Sequence, residues 1–269
     1  MKRTIPILAL FFAVLAALWL WSGSGTQRLE KPPGAGQAPE PWVSDPWQVP
    51  PHHGFIRPVL ERYLGELPRG ARVLDLGCGN GLMLGNLRDR GWELHGLDID
   101  RNAIEAAREK FPFATFYVGD ATADLTPILG PEPFDAVISI EVIEHVFDPQ
   151  TFADNLYGLL EPGGFAVVTT PYHGYLKNLL IAASGRVPQH FDPLALYGHI
   201  KFFARDSLAE VLWRAGFEDL EFTGVGRAPY LWKDMVMKAG RPPSQASAAP
   251  RALNRAGRGS GAAGAGTPS

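Results

Sequence analysis

The sequence predicts an α/β fold built on a doubly wound, mostly parallel sheet with helices on both faces. Two observations carry this. Between residues 72 and 169, short apolar runs of strand length alternate with helical patterns, and such βαβ repetition makes parallel strands. The first run, Val73-Leu74-Asp75-Leu76, ends in a glycine-rich turn, Gly77-Cys78-Gly79-Asn80-Gly81, which leads straight into a helical pattern. A strand, a tight glycine turn and a helix start form a nucleotide-type pocket, because glycines let the backbone approach a ligand closely.

From the N-terminus, Met1-Lys2-Arg3 is basic, residues 5–21 are almost unbrokenly apolar, and Ser22-Gly23-Ser24-Gly25 ends the run. Its length lies between the roughly 20 residues of a spanning helix and the roughly 7–15 of a signal h-region. Trp19 and Trp21 sit at its far end as interfacial aromatics do, and no A-x-A cleavage site follows. Residues 1–25 are therefore expected to be a membrane anchor, with a signal-like segment as the alternative. Residues 26–51 are rich in Pro and Gly and are expected to be a linker. A folded domain is expected over 52–238. Its strands are placed at 72–76, 93–98, 115–119, 135–140, 164–169, 218–223 and 230–237. Its helices are placed at 82–90, 102–110, about 123–129, 149–160 and 205–215. Residues 239–269 hold Ala, Gly, Ser and Pro with four arginines and no acid, and are expected to be a disordered tail.

The chain has 269 residues, enough for one large domain. A net charge of -3 and a pI near 6.2 give no pull toward nucleic acid, and none is expected as a partner. Cys78 is the sole cysteine, so no internal disulfide can form.

Several motifs carry chemistry. A dinucleotide fingerprint needs a third glycine where Leu82 stands. Asp98 closes the second strand about 20 residues past the glycine turn, where a carboxylate can accept both ribose hydroxyls of an adenosine. A helix cap is its alternative role, for which Asp100 is better placed. Asp120 follows the third strand, where its own chemistry reads as a turn aspartate. The fourth strand runs to Ile140 and is followed by Glu141-Val142-Ile143-Glu144-His145-Val146, at the point where open α/β sheets bind ligands.

The glycine loop from Asp75 to Gly81, the Gly96-Leu97-Asp98 strand end, the Glu141–His145 segment and the turn Leu160-Glu161-Pro162-Gly163-Gly164 together resemble the class I S-adenosylmethionine-dependent methyltransferases of types 11 and 12. Among these, the ubiquinone-biosynthesis O-methyltransferases are the most similar. The resemblance covers about residues 57–237. It implies a Rossmann-like sheet of seven strands whose last strand inserts antiparallel. It implies S-adenosylmethionine as cofactor, held by Arg57, Asp75, Gly77, Gly79, Asp98, Asp120 and Ile140, and a lid over about 171–204. In that lid, Tyr172, His173, Tyr175, His190 and His199 offer polar contacts. The apolar stretch around Lys177 is either a short interfacial helix or a buried one. The implied acceptor is a small or lipid-linked molecule such as a quinone precursor.

A phenolic acceptor needs a base or a metal to ionise it. His145 is the first candidate base, with Glu141 beside it. The resemblance also implies magnesium, for which Glu141, Glu144 and His145 are candidate ligands, although magnesium prefers oxygen donors. Local capping or pairing of Glu144 and His145 is the third possibility. A Rossmann-type NAD(P) oxidoreductase and a non-catalytic, membrane-tethered S-adenosylmethionine-binding module are the competing functions. The positive-inside rule keeps Lys2 and Arg3 in the cytoplasm and sends the rest of the chain out, but Arg28 and Lys31 weaken that asymmetry. Since the implied cofactor is a cytoplasmic metabolite, the expectation is a domain anchored to the inner (cytoplasmic) membrane and facing the cytoplasm.

Overall fold

The computed structural model describes residues 47, 49–192 and 198–244. The expected anchor at 1–25, most of the linker and the tail beyond 244 lie outside these. Among the described residues no helix is long and apolar enough to cross a membrane.

Seven strands form one sheet: β1 (Arg72–Leu76), β2 (Glu93–Asp98), β3 (Thr115–Val118), β4 (Phe134–Ile140), β5 (Leu160–Pro171), β6 (Glu218–Val225) and β7 (Asp234–Gly240). Their order is β3-β2-β1-β4-β5-β7-β6. The first five are parallel, and β7 inserts antiparallel between β5 and β6. From β1 the chain winds outward through β2 and β3, then returns to β4 on the other side. The strand order therefore reverses between β1 and β4, which opens a crevice at their carboxyl ends.

The helices are α1 (His53–Leu64), α2 (Leu82–Gly85), α3 (Arg101–Lys110), α4 (Thr126–Leu129), α5 (Pro149–Leu159), α6 (Tyr175–Ala183), α7 (Val187–His190) and α8 (Arg205–Arg214). Successive strand residues face opposite sides, so each face has its own core. Leu74 and Leu76 pack with Phe152 and Leu156 of α5 and Leu208 and Leu212 of α8. Val73 packs with Ile56 and Leu60 of α1 and Ile104 of α3. Burial on both faces is why the strands read as nearly continuous apolar runs.

Three elements depart from the sequence expectation. Helix α1 is not among the helices expected from the sequence, and Pro58 falls inside it. A proline there costs about 3 kcal/mol. Ile56, Leu60, Tyr63 and Leu64 are all buried on one face, each contributing roughly 1.5–3 kcal/mol, and that outweighs the proline. The helix expected at 82–90 stops at Gly85 and gives way to a 3-10 turn, Arg88–Arg90. A Cβ at Gly85 would lie 2.6 Å from the Phe111 ring, so the glycine serves packing rather than helix continuity. Strand β7 runs to Gly240, and Arg241 donates to the carbonyls of Tyr157 and Leu160. The folded domain thus continues through Arg241 instead of ending at 238.

Helix starts follow simple chemistry. Asp100 caps α3, accepting from the N–H groups of Asn102 and Ala103, and Asp148 caps α5 in the same way. Such caps contribute about 1 kcal/mol each. With Asp100 as the cap, Asp98 is released for the crevice.

Candidate functional site

The crevice is a cavity of about 1370 Å³, adjoined by a second of about 480 Å³. Gly77, Gly79, Asp98, Glu141 and His145 line both. Asp75 and Ile140 line the larger one, and Gly119 and Asp120 the smaller. The structure thus gathers most residues singled out from the sequence into one groove.

The glycine turn is held open by geometry that side chains resist. Gly77, Gly79 and Gly81 have φ of 88°, 53° and 75°, in the left-handed region. The N–H groups of Gly77 and Cys78 donate to the Leu97 carbonyl at 2.7 and 3.0 Å. Gly79 N–H donates to Asp98 Oδ2 at 2.7 Å, and Asp100 N–H donates to Asp98 Oδ1 at 2.8 Å. Asp98 therefore stitches the turn to the end of β2. A carboxylate has about four lone-pair sites, so both oxygens keep accepting capacity toward the cavity. Nothing lies within 4 Å of where a Gly79 Cβ would be, consistent with a backbone that faces open space.

Asp75 sits beneath this turn, buried, with Oδ1 receiving no hydrogen bond. Burial first, and then Asp98, pushes its pKa from 3.8 to about 8. The carboxyl is therefore protonated in the folded protein at neutral pH but ionised in the unfolded chain. Its stabilising contribution is complete below pH 3.8 and is lost as pH rises through about 8. Asp75→Asn is expected to flatten this dependence, by up to about 1.4 kcal/mol per pH unit. Urea unfolding of both proteins at pH 5 and pH 8 measures it, and parallel losses of stability would contradict it.

Glu141 follows β4 directly with φ of 56°, uncommon for a residue with a side chain. Such backbone strain is typical of functional positions. Thr169 Oγ1 donates to Glu141 Oε1 at 2.8 Å, and Glu141 N–H donates back to Thr169 Oγ1 at 3.1 Å. Burial, then Glu144 and Asp234, raises the Glu141 pKa well above the usual carboxylate range. His145 sets its ring edge-on to His199, with centroids 4.9 Å apart. Glu144 is fully buried, and neither of its carboxylate oxygens receives a hydrogen bond. Burial pushes its pKa up to about 7.

Other expected residues are placed differently. Arg57 lies on the outer side of α1, half-exposed, 3.5 Å from Glu61, and lines neither cavity. The buried stripe of α1 passes through its neighbour Ile56, which turns Arg57 away. Asp120 Oδ1 accepts from the Thr122 N–H and hydroxyl, both at 2.8 Å, so it closes a turn while lining the smaller cavity. Of the residues expected in a lid, Tyr172 packs on Trp232 and Phe222, His173 on Phe191 and Phe202, and Tyr175 is exposed. Only His199 of that group lines the cavity.

The proposed magnesium set is also rearranged. Among the described residues, the groups whose ligand atoms come within 4.8 Å of one another are Glu144, His145 and His199, with His199 in place of Glu141. The Glu141 carboxylate is instead engaged by Thr169. One carboxylate and two imidazoles do not suit magnesium, which takes oxygen ligands.

Sequence reasoning missed His52, His53 and Asp234, which line the larger cavity. The two histidines belong to the start of α1, a helix absent from the sequence expectation. Burial, then His53 and His199, lowers the His52 pKa to about 4. Asp234 opens β7, and burial raises its pKa against the opposing effect of Lys177 and Lys233. Lys177 of α6 donates to the Lys233 carbonyl at 3.1 Å, fastening this helix to the start of β7.

Residues 52–221 match the family model described as a methyltransferase domain. The ubiquinone biosynthesis O-methyltransferase of Ruegeria pomeroyi is 30% identical over 178 residues, covering 65% of this chain and 71% of that protein. The enzyme of the same name from Cereibacter sphaeroides is 28% identical over 165 residues, covering 61% and 66%. The solved structure of Haemonchus contortus phosphoethanolamine N-methyltransferase 2 in complex with S-adenosyl-L-methionine shares the fold. Its TM-score is 0.52 at 20% identity, over 69% of this chain and 52% of that one.

Proposed function

The chain belongs to the class I S-adenosylmethionine-dependent methyltransferases, and from that premise we propose that it methylates an oxygen of a small or lipid-linked, quinone-precursor-like acceptor. The observation that carries this reading is the position of Glu141 and His145, which line both cavities at the carboxyl end of β4. The similarity to enzymes named ubiquinone biosynthesis O-methyltransferase supports it. So do the exposed Leu176, Leu179 and Leu180 of the lid helix α6, which suit a greasy acceptor.

The residues present fit the cofactor. Asp98 retains lone pairs for ribose hydroxyls, Asp75 offers an unpartnered buried oxygen, and Gly79 leaves room for a ligand against the backbone. S-adenosylmethionine supplies a methyl group already activated by its sulfonium. The glycine turn, Asp98 and Asp120 would hold it, and Ile140 and His145 of the larger cavity would face the acceptor. With the acceptor hydroxyl held against it, His145 would take up the hydroxyl proton as the methyl group is transferred. Positioning of this kind is worth up to roughly 7–11 kcal/mol. A proton acceptor contributes about 10²–10⁴-fold.

The test is transfer of labelled methyl from S-adenosylmethionine into lipid and quinone extracts, with products identified by mass spectrometry. A methyl ether is expected. His145→Ala is expected to lower kcat by about 10²–10⁴-fold with cofactor affinity retained. A methylated nitrogen or carbon would overturn the O-methylation. We further propose that residues 1–25 tether the domain to the cytoplasmic membrane with the catalytic face in the cytoplasm. A C-terminal reporter fusion tests the side, and an external signal would overturn it.

A further inference from the structure

We propose that Phe147 and Lys201 couple the two cavities, so that adenine seated in the smaller one holds His199 at the acceptor side of the larger one. This rests on the cofactor reading above and adds the residues that carry occupancy of one cavity to the other.

Phe147 is 86% exposed, yet it lines the smaller cavity, as does Ile99, 71% exposed. Leaving two large apolar side chains in water at a cavity wall is unfavourable, and a flat ring lying against them removes both from it. Gly119, Asp120 and Thr122 give the same cavity polar edges, which suits a purine better than an aliphatic group.

Lys201 fixes the Phe147 ring from the other side. Its ammonium lies over the ring, 5.3 Å from the centroid, as a cation–π contact. Asp148 is within electrostatic reach of the same ammonium. One face of the ring is therefore taken by Lys201, and the remaining ring surface lines the cavity.

Lys201 belongs to a short strap, 198–203, tied to the rest of the fold by its backbone. The N–H groups of Ile200 and Lys201 donate to the Glu144 carbonyl at 2.9 and 3.0 Å, and the His173 N–H donates to the Phe203 carbonyl at 2.9 Å. Gly198, His199 and Ile200 line the larger cavity, where His199 sets its ring edge-on to His145. The strap thus meets the acceptor side through His199 and the adenine side through Lys201. A base stacked on Phe147 fixes the ring, the fixed ring holds Lys201, and Lys201 holds the strap against the loop after β4. Ordering His199 in advance lowers the entropic cost of taking the acceptor.

The experiment uses the full-length chain with S-adenosylhomocysteine as the probe. Calorimetry reads affinity, and hydrogen-exchange mass spectrometry reads peptides spanning 198–203 with and without saturating probe. In the parent, the probe is expected to slow exchange of the strap by about 5-fold or more, the least that one stacked base supplies. Phe147→Ala is expected to weaken binding by about 5-fold or more and to lose the slowing even at saturation, and Phe147→Tyr to restore both. Lys201→Ala is expected to bind the probe nearly as tightly as the parent but to lose the slowing, and Lys201→Arg to restore it, since a guanidinium also sits over a ring. A lysine that only supported the strap would change its exchange equally with and without probe. The coupling is overturned if the parent binds the probe without any change in the strap, if Lys201→Ala keeps the probe-induced slowing, or if Phe147→Ala behaves as the parent. A parent that gives no binding heat overturns the cofactor reading itself, and this coupling with it.

Discussion

Asp98→Ala is expected to lower S-adenosylmethionine affinity by about 100-fold or more, measured by calorimetric titration. Asp98 has two duties. Its oxygens accept from the N–H groups of Gly79 and Asp100, which sets the path of the glycine turn. Its remaining lone pairs face the cavity where the ribose would lie. Hydrogen bonds to a charged group contribute about 1.5–3 kcal/mol each, so losing two toward the ligand alone spans a hundredfold. The two duties are separable. Loss of the Gly79 and Asp100 contacts is expected to destabilise the protein by about 1–3 kcal/mol in urea unfolding. Asp98→Asn, which keeps one acceptor oxygen, is expected to be intermediate in both measurements. Unchanged affinity in Asp98→Ala would disprove the ribose role.

Gly77→Ala is expected to cost about 3 kcal/mol in stability and to remove most cofactor binding with it. Two effects add. The residue has φ of 88°, where an L side chain costs roughly 1–2 kcal/mol. Its Cβ would also lie 2.4 Å from Cγ2 of Val142, in the loop after β4, and overpacking of this kind costs about 1–3 kcal/mol. Relief of the clash moves the glycine turn away from the Glu141–His145 loop, which is why binding suffers along with stability. Val142→Ala in the same chain removes both Cγ atoms and should restore the packing share but not the backbone share. Gly79→Ala is the contrast: its Cβ meets no protein atom, so it carries the backbone share at φ of 53° without the packing share, and its stability loss should be the smaller of the two. A Gly77→Ala protein that unfolds like the parent would sink this explanation.

The sequence made the sheet legible because strands buried on both faces carry almost uninterrupted apolar runs, punctuated by Asp75, Asp98 and Ile140 at their carboxyl ends. The groove was legible for the same reason: strand ends are fixed by pattern, and ligand sites of open sheets lie at strand ends. What stayed hidden depended on contacts distant in sequence. Helix α1 holds Pro58 in its interior, and only its burial against the sheet explains it. Its position carried His52 and His53 to the cavity and turned Arg57 outward. His199 reaches His145 from more than fifty residues away, a juxtaposition no local spacing encodes. The engagement of Glu141 by Thr169 depends likewise on the pairing of β4 with β5.

The most direct test of the central claim is calorimetric titration of the purified chain with S-adenosylmethionine and, separately, with NAD⁺. The groove of Gly77, Gly79 and Asp98 predicts saturable binding of one S-adenosylmethionine per chain and no heat from NAD⁺. Tight NAD⁺ binding without S-adenosylmethionine binding would contradict it.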